Sequence, residues 1–194
     1  MIRIIAGVSK GMRLANLPGN NTRPTTDRVK EALFSRLDAY GVLADARVLD
    51  LFAGSGALGC EALSRGAASA DFVDSYAKAR PVIEKNIAGL KGAGAVGRAR
   101  VYTASATSFL GQCSSGQGWD LVFLDPPYDY ANDKLLLVLD LLLSCLTPGA
   151  VLVVERSAFT PQAQWPQALE QFAHKKYGQT QLYFLQPVTE QQAS

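Results

Sequence analysis

Asp50-Leu51-Phe52-Ala53-Gly54-Ser55-Gly56-Ala57-Leu58-Gly59 is the stretch on which the fold of this chain turns. It includes the end of the apolar run 47–52 (RVLDLF) and leads into a helical pattern that Gly66 stops. An apolar strand that runs into a glycine-rich turn and then a helix opens a βαβ unit. Gly54 and Gly56 let the backbone approach a ligand where a Cβ would intrude. The spacing Gly54-x-Gly56-x-x-Gly59, with the acid Asp74 about 20 residues beyond, fits an adenosine-containing ligand whose ribose Asp74 could hold. On these features NAD and S-adenosylmethionine both stay open.

The alternation continues downstream. Strands are expected at 47–52, 70–73, 100–103, 119–124 (WDLVFL) and 150–155. Helices are expected from the glycine turn at 53–59 to about 65, at 77–90, briefly after the third strand, and at 132–146, ending at Thr147-Pro148-Gly149. Two apolar runs, 173–177 and 181–185, flank Gly178 as an antiparallel pair. Near-continuous apolar strands between helices mean a mostly parallel sheet covered on both faces, with an antiparallel C-terminal strand from the closing hairpin. Upstream, 3–6 and 13–17 read as a small hairpin closed by 7–11. Residues 16–24 form a loop of turn formers, and Thr25-Thr26-Asp27 supply capping groups. Val29, Leu33, Leu37 and Tyr40 then form a helical stripe over 27–40. The expected organisation is a basic extension at 1–42, one Rossmann-like domain at 43–187, and a tail, 188–194, that frays from Pro187 on.

Composition narrows the class. Of 194 residues, 48% are apolar and 19% charged, which excludes a disordered chain. The longest apolar stretch, 135–143, is broken by Asp140 and falls far short of the roughly 20 residues that span a bilayer. The start MIRIIAGVSKG has no signal-peptide pattern, so a cytoplasmic protein with no membrane partner is expected. Cys60, Cys113 and Cys145 are too few and too scattered for a disulfide framework or a metal site. The net charge of +2 hides an asymmetry. Residues 1–42 hold seven basic and three acidic residues, against twelve and fourteen in the remainder. A basic end on a slightly acidic body suggests a polyanion contact confined to that end.

Two acids decide the chemistry. Asp50 lies on the strand, four residues before Gly54. An anion there is awkward beside a pyrophosphate and suits the ammonium of a methionyl group. The pattern Asp50-x-Phe52-x-Gly54-x-Gly56 resembles the first motif of class I methyltransferases, which favours S-adenosylmethionine. Asp125-Pro126-Pro127-Tyr128 directly follows the fourth strand, at the same sheet edge. Two prolines fix the backbone and remove two amide donors. What remains is rich in acceptors, the Asp125 carboxylate and the Pro126 carbonyl, with the Tyr128 ring as a surface on which a base can stack. This suits an exocyclic amino group on a base. Two acceptors on its hydrogens free a nitrogen lone pair that is otherwise delocalised into the ring. Asp125 also stabilises the positive charge that develops on nitrogen. A cytosine-C5 mechanism would need a cysteine nucleophile, and none stands in such a loop.

With these motifs in place, the sequence resembles the RsmD family of bacterial 16S rRNA guanine-N2 methyltransferases. The likeness spans essentially the whole chain: Arg3-Ile4-Ile5-Ala6-Gly7, Gly11-Met12-Arg13-Leu14, Arg23-Pro24-Thr25-Thr26-Asp27-Arg28-Val29-Lys30-Glu31, 50–66, 125–128, Tyr177-Gly178 and the last strand. The resemblance implies a class I S-adenosylmethionine-dependent methyltransferase fold. It implies methyl transfer to N2 of a guanine in 16S rRNA within an assembling small subunit, by a monomer. Carried over by position, Asp50, Ala53, Gly54, Ser55 and Gly56 cradle the cofactor, and Asp74 and Ser75 hold its ribose end. Ser105 stands where relatives often have an adenine-contacting Asp, and the Ala106 amide is beside it. Asp125, Pro126 and Tyr128 form the catalytic turn. Arg3, Lys10, Arg13, Arg23 and Arg28 would bind RNA phosphates.

The nearest rival is a DNA adenine-N6 methyltransferase, since the same turn serves either amino group, although 194 residues leave no room for a separate target-recognition domain. An NAD-dependent oxidoreductase is disfavoured by Asp50, and a catalytically silent RNA-binding module by the intact Asp125 and Gly54. His174 reads as non-catalytic, Trp119 as core, Trp165 as either surface or core, and Glu155-Arg156 as either a substrate contact or a solvated strand end.

Overall fold

The computed structural model describes residues 2–17, 27–92, 96–113, 118–161 and 163–188. At its centre lies β1 (Arg47–Asp50), in parallel register with β2 (Ser69–Asp74) on one side and β4 (Trp119–Leu124) on the other. With β3 (Ala99–Thr103), β5 (Leu146–Ser157), β6 (Leu169–Tyr177) and β7 (Thr180–Pro187), these strands form one seven-stranded sheet in the order β3-β2-β1-β4-β5-β7-β6. The order reverses at β1, between the crossovers to β2 and β4. That is the switch point at which open α/β sheets bind ligands.

Side chains alternate between two cores, as the period-2 geometry of strands requires. Val48, Leu121, Phe123, Val153 and Phe184 face one core, with α1 (Asp27–Tyr40), α2 (Ala57–Ser64) and α3 (Ala79–Ala88). Leu49, Val122, Leu124, Val154 and Leu185 face the other, with α4 (Ala106–Leu110) and α5 (Asn132–Leu142). The helix of the basic extension belongs to the first core. Phe34 of α1 lies 5.6 Å from Phe123, and Tyr40 meets Phe172 and Phe184 edge-on.

The parallel-sheet expectation holds, with four differences of detail. The reversed strand β7 lies inside the sheet, antiparallel to both β5 and β6. The edge strand β6 therefore runs with the parallel majority, so the hairpin's antiparallel member is not the edge. α5 stops at Leu142, a short 3-10 turn spans Leu143–Cys145, and β5 starts at Leu146, since Leu146 already pairs with Trp119. Pro187 closes β7 and the Val188 amide donates to the Ala168 carbonyl, which ties the start of the expected tail. The N-terminal hairpin reduces to one antiparallel bridge, Arg3↔Arg13, with the Ile4 amide on Met12 and the Leu14 amide on Ile2, both at 2.9 Å. Its turn docks on α2 instead of extending the ladder: the Val8 amide donates to the Ser64 carbonyl and the Ser9 amide to Ser64 Oγ. The capping residues Thr25 and Thr26, and residues 189–194, lie outside the described residues.

One buried carboxylate fastens the extension. Glu61 of α2 is fully buried and accepts from the Ile5 amide (2.7 Å), the Ala6 amide (3.0 Å) and Arg65 Nε (2.8 Å). Lys30 Nζ of α1 lies 3.6 Å away and donates to the Arg3 carbonyl. Burial holds the Lys30 ammonium below its ordinary pKa, against the raising pull of Glu61. Removing one partner from such a pair leaves the other charge buried and uncompensated. Glu61→Ala is therefore expected to cost about 3–5 kcal/mol of unfolding free energy, measured by denaturant titration. A loss under about 1 kcal/mol would show that the tether bears little load.

Candidate active site at the switch point of the sheet

The turn after β1 folds back over the strand end. Gly54 and Gly56 both adopt positive φ, +56° and +75°. The Gly54 amide donates to Asp74 Oδ2 at 2.8 Å, which joins the turn to the end of β2. A Cβ on Gly54 would meet no protein atom within 4 Å, and the residue lines a cavity of about 580 Å³. Gly59 serves a different purpose. A Cβ there would come 2.3 Å from the Phe72 ring, so the first turn of α2 lies flat on β2 only because that atom is missing.

The cavity gathers residues from six segments. Its wall includes Gly54, Asp74, Ser75, Ser105, Ala106, Asp125, Pro126 and Tyr128. Two motifs about seventy residues apart in sequence thus share one space because β1 and β4 are neighbours, Asp50 opposite Phe123. Asp74 uses both oxygens on the backbone, Oδ2 for Gly54 and Oδ1 for the Tyr76 amide at 2.8 Å. Lone pairs remain on each for a ligand hydroxyl. Ser105 caps α4: its Oγ accepts from the Ser108 amide at 3.1 Å and contacts Ser108 Oγ at 2.9 Å. Its hydroxyl is thus engaged in helix capping at the cavity wall, with Ala106 next to it.

Asp50 lies beneath the cavity and is not among its lining residues. It is 1% exposed, and its Oδ2 accepts from the Gly59 amide at 3.0 Å. Ala53, Ser55 and Gly56 likewise are not among the lining residues. Burial pushes the Asp50 carboxyl up to about 7 against the lowering effect of the Gly59 amide, and the charges of Asp125 and Asp74 add to the rise. Burial drives Asp125 up as well, to about 7. Two carboxyls this close titrate as a pair, and each disfavours ionisation of the other.

The loop after Asp125 is held from β5. The Tyr130 amide donates to the Pro127 carbonyl and closes the turn, and Asp125 and Pro126 stand together at the cavity wall. Arg156, nearly fully buried, donates to the Tyr130 carbonyl at 2.8 Å and to Asn132 Oδ1 at 3.0 Å. Tyr130 packs edge-on against Phe52 at 5.2 Å. Of the pair Glu155-Arg156, Glu155 reaches the cavity and Arg156 clamps the loop behind it.

Sequence reasoning missed several wall residues. Tyr76 is 44% exposed and flanks Asp74, and an aromatic residue two positions after the acid that ends the second strand is a local signal that could have marked it. Leu17 lies more than thirty residues before the glycine turn, and no local pattern ties it to the cavity. Of the basic residues, Arg3 and Arg13 face each other across the bridge, Arg3 pairs with Asp27 at 3.1 Å, and Lys10 and Arg28 are exposed. Arg23 lies outside the described residues. Among the described residues no cluster of metal-ligating side chains occurs and no helix is long and apolar enough to cross a membrane. His174 stacks on Tyr183 at 4.6 Å, and the Trp119 indole donates to Asp71, so both serve the fold.

Known proteins place this architecture. The Escherichia coli protein "Ribosomal RNA small subunit methyltransferase D" is 46% identical over 127 residues, which is 66% of this chain and 60% of that protein. The match therefore spans less than two thirds of that relative's length. The Haemophilus influenzae protein of the same name is 38% identical over 160 residues, covering 82% of this chain and 81% of its own. A solved Escherichia coli structure named "Putative methyltransferase yhhF" superposes with a TM-score of 0.81 at 38% identity, over 96% of this chain and 97% of that one. A family model described as "Conserved hypothetical protein 95" matches residues 2–186. With nearly its whole length covered by that model, the chain belongs to this family, the RsmD family.

Proposed function

We propose that this chain transfers a methyl group from S-adenosylmethionine to the exocyclic N2 amino group of a guanine in 16S rRNA. Its substrate is an assembling small ribosomal subunit in the cytoplasm. The observation that carries the reading is one cavity shared by the Gly54 turn, the Asp74 carboxylate and the Asp125-Pro126 acceptors.

The residues present fit the cofactor. Gly54 offers an open backbone surface, and Asp74 keeps lone pairs for ribose hydroxyls. Tyr76 adds an exposed ring beside them for an adenine. The paired carboxyls of Asp50 and Asp125 favour a cationic ligand, whose charge would draw both toward ionisation. When bound, S-adenosylmethionine supplies a methyl on a sulfonium, already reactive toward a nitrogen lone pair. The protein's task is then mostly positioning. Asp125 and the Pro126 carbonyl accept the two amino hydrogens and localise the lone pair. Tyr128, half-exposed at the rim, stacks on the base, and the Arg156 clamp keeps the loop in register. An amino group within a duplex would have to be flipped out or already be single-stranded. Arg3, Lys10, Arg13, Arg23 and Arg28 then contact phosphates outside the cavity. Arg13 supports this: it is exposed across the bridge from Arg3, whose own charge is met by Asp27.

The test is a transfer assay with methyl-labelled S-adenosylmethionine on small subunits lacking the modification, on naked 16S rRNA and on duplex DNA. Label in N2-methylguanosine, strongest from the subunit, is the expected result. Label in N6-methyladenine from DNA would overturn the substrate assignment. Asp125→Ala should lower the rate by about 10²–10³ or more while cofactor binding survives, and unchanged turnover would sink the mechanism. The pH dependence follows from Asp125. Below its pKa the carboxyl carries a proton, accepts more weakly and no longer stabilises the positive charge that develops on nitrogen. At subsaturating cofactor, where the single-turnover rate reports the free enzyme, it should therefore fall as pH drops through about 7, and Asp50→Asn should move the midpoint down by relieving the pair. A flat profile would remove Asp125 as the acceptor. Arg13→Ala should raise KM for RNA and lower the salt slope by about one, leaving cofactor affinity unchanged.

A further inference from the structure

The N-terminal segment is laid along α3 in three steps. Ser9 Oγ accepts from the Lys91 amide at 2.8 Å. Met12 fills the space beside Gly89, where a Cβ would lie 2.4 Å from its Cε. Ala15 is held by Asn86 through both backbone groups: its amide donates to Asn86 Oδ1 at 2.8 Å and its carbonyl accepts from Asn86 Nδ2 at 3.0 Å. The contacts move from residue 91 to 89 to 86, toward the end of the helix that follows Asp74 and Tyr76. Leu17, two residues past Ala15, forms part of the cavity wall.

Asn86 has one more bond. Nδ2 also donates to the Ser55 carbonyl at 2.8 Å. Ser55 sits between Gly54 and Gly56, two positive-φ residues with no side chains to stabilise the turn. A fixed carbonyl between them supplies that restraint. Asn86 is 2% exposed, so its amide makes these bonds away from water, where each is hard to replace. Nothing else described joins the cofactor turn directly to the N-terminal segment through one side chain.

We infer that Asn86 is a positioning residue: a splint that sets the Gly54-Ser55-Gly56 turn and the Leu17 wall together, so that docking of the extension completes the cofactor pocket. The inference rests on the methyltransferase reading above. It differs from a purely structural role, which would lower stability and leave ligand affinity alone.

The test is calorimetric titration of the full chain with S-adenosylhomocysteine, at a temperature where circular dichroism shows each variant folded. Asn86→Ala should weaken binding about tenfold or more. Asn86→Asp should lose a similar factor, since it keeps the acceptor for the Ala15 amide but sets a carboxylate against the Ser55 carbonyl. Ser9→Ala should lower the melting temperature with Kd unchanged, because it loosens the same segment away from the splint. Leu17→Ala should weaken binding severalfold with little change in melting temperature. Unaltered affinity in folded Asn86→Ala would overturn the inference, as would an equal loss in Ser9→Ala. Should Asn86→Ala fail to fold, unaltered affinity in Leu17→Ala would overturn it instead. A wild type that binds no S-adenosylhomocysteine would overturn the methyltransferase reading, and this inference with it.

Discussion

Everything at the site depends on the parallel pairing of β1 with β4. Val48↔Leu121, Leu49↔Val122 and Asp50↔Phe123 set two strands side by side whose sequence neighbours lie far apart. Both strands end at the same sheet edge, so both following loops open into one space. β1 also pairs with β2, so the chain must cross over in opposite directions from it, and helices cannot cover the edge at that point. The cavity is a consequence of that reversal. The glycine turn and the Asp125 turn supply its chemistry but did not create its position.

A second constraint is the exclusion of bulk between α2 and the sheet. Gly59 lies on the Phe72 ring, and Asp50 holds the Gly59 amide from below. The helix that begins at the cofactor turn is thereby pinned at its first residues. Farther along the same helix, Glu61 and Ser64 collect the amides of Ile5, Ala6 and Ser9. α2 is thus shared: one end shapes the ligand turn, and the other anchors the basic extension. The basic extension and the cavity turn are joined through one short helix.

The electrostatics of the site follow from burial more than from contact. Asp50 accepts a backbone amide, which favours its charged form, yet desolvation outweighs that bond and lifts its carboxyl to about 7. A protein built only for stability would not keep two carboxyls beside one another in a poorly solvated place. Their cost is offset when a cationic ligand occupies the cavity. This supports a site tuned to bind positive charge and to accept hydrogens from a weakly basic amino group.

Much of this was legible in the chain itself. The alternation of apolar runs with helical stripes marked the parallel sheet, because strands buried on both faces must be apolar throughout, and β4 at Trp119–Leu124 and α1 at Asp27–Tyr40 match their sequence patterns. The glycine turn and Asp125-Pro126-Pro127-Tyr128 were visible because their chemistry is local. What the sequence could not decide was set by contacts between distant segments. The burial of Asp50 beneath the cavity, the insertion of β7 between β5 and β6, the docking of the N-terminal turn on Ser64, and the arrival of Leu17 at the wall each depend on partners dozens of residues away. Local periodicity reports which face of an element is apolar. Only the folded chain determines which other element covers that face, and so which side chains meet.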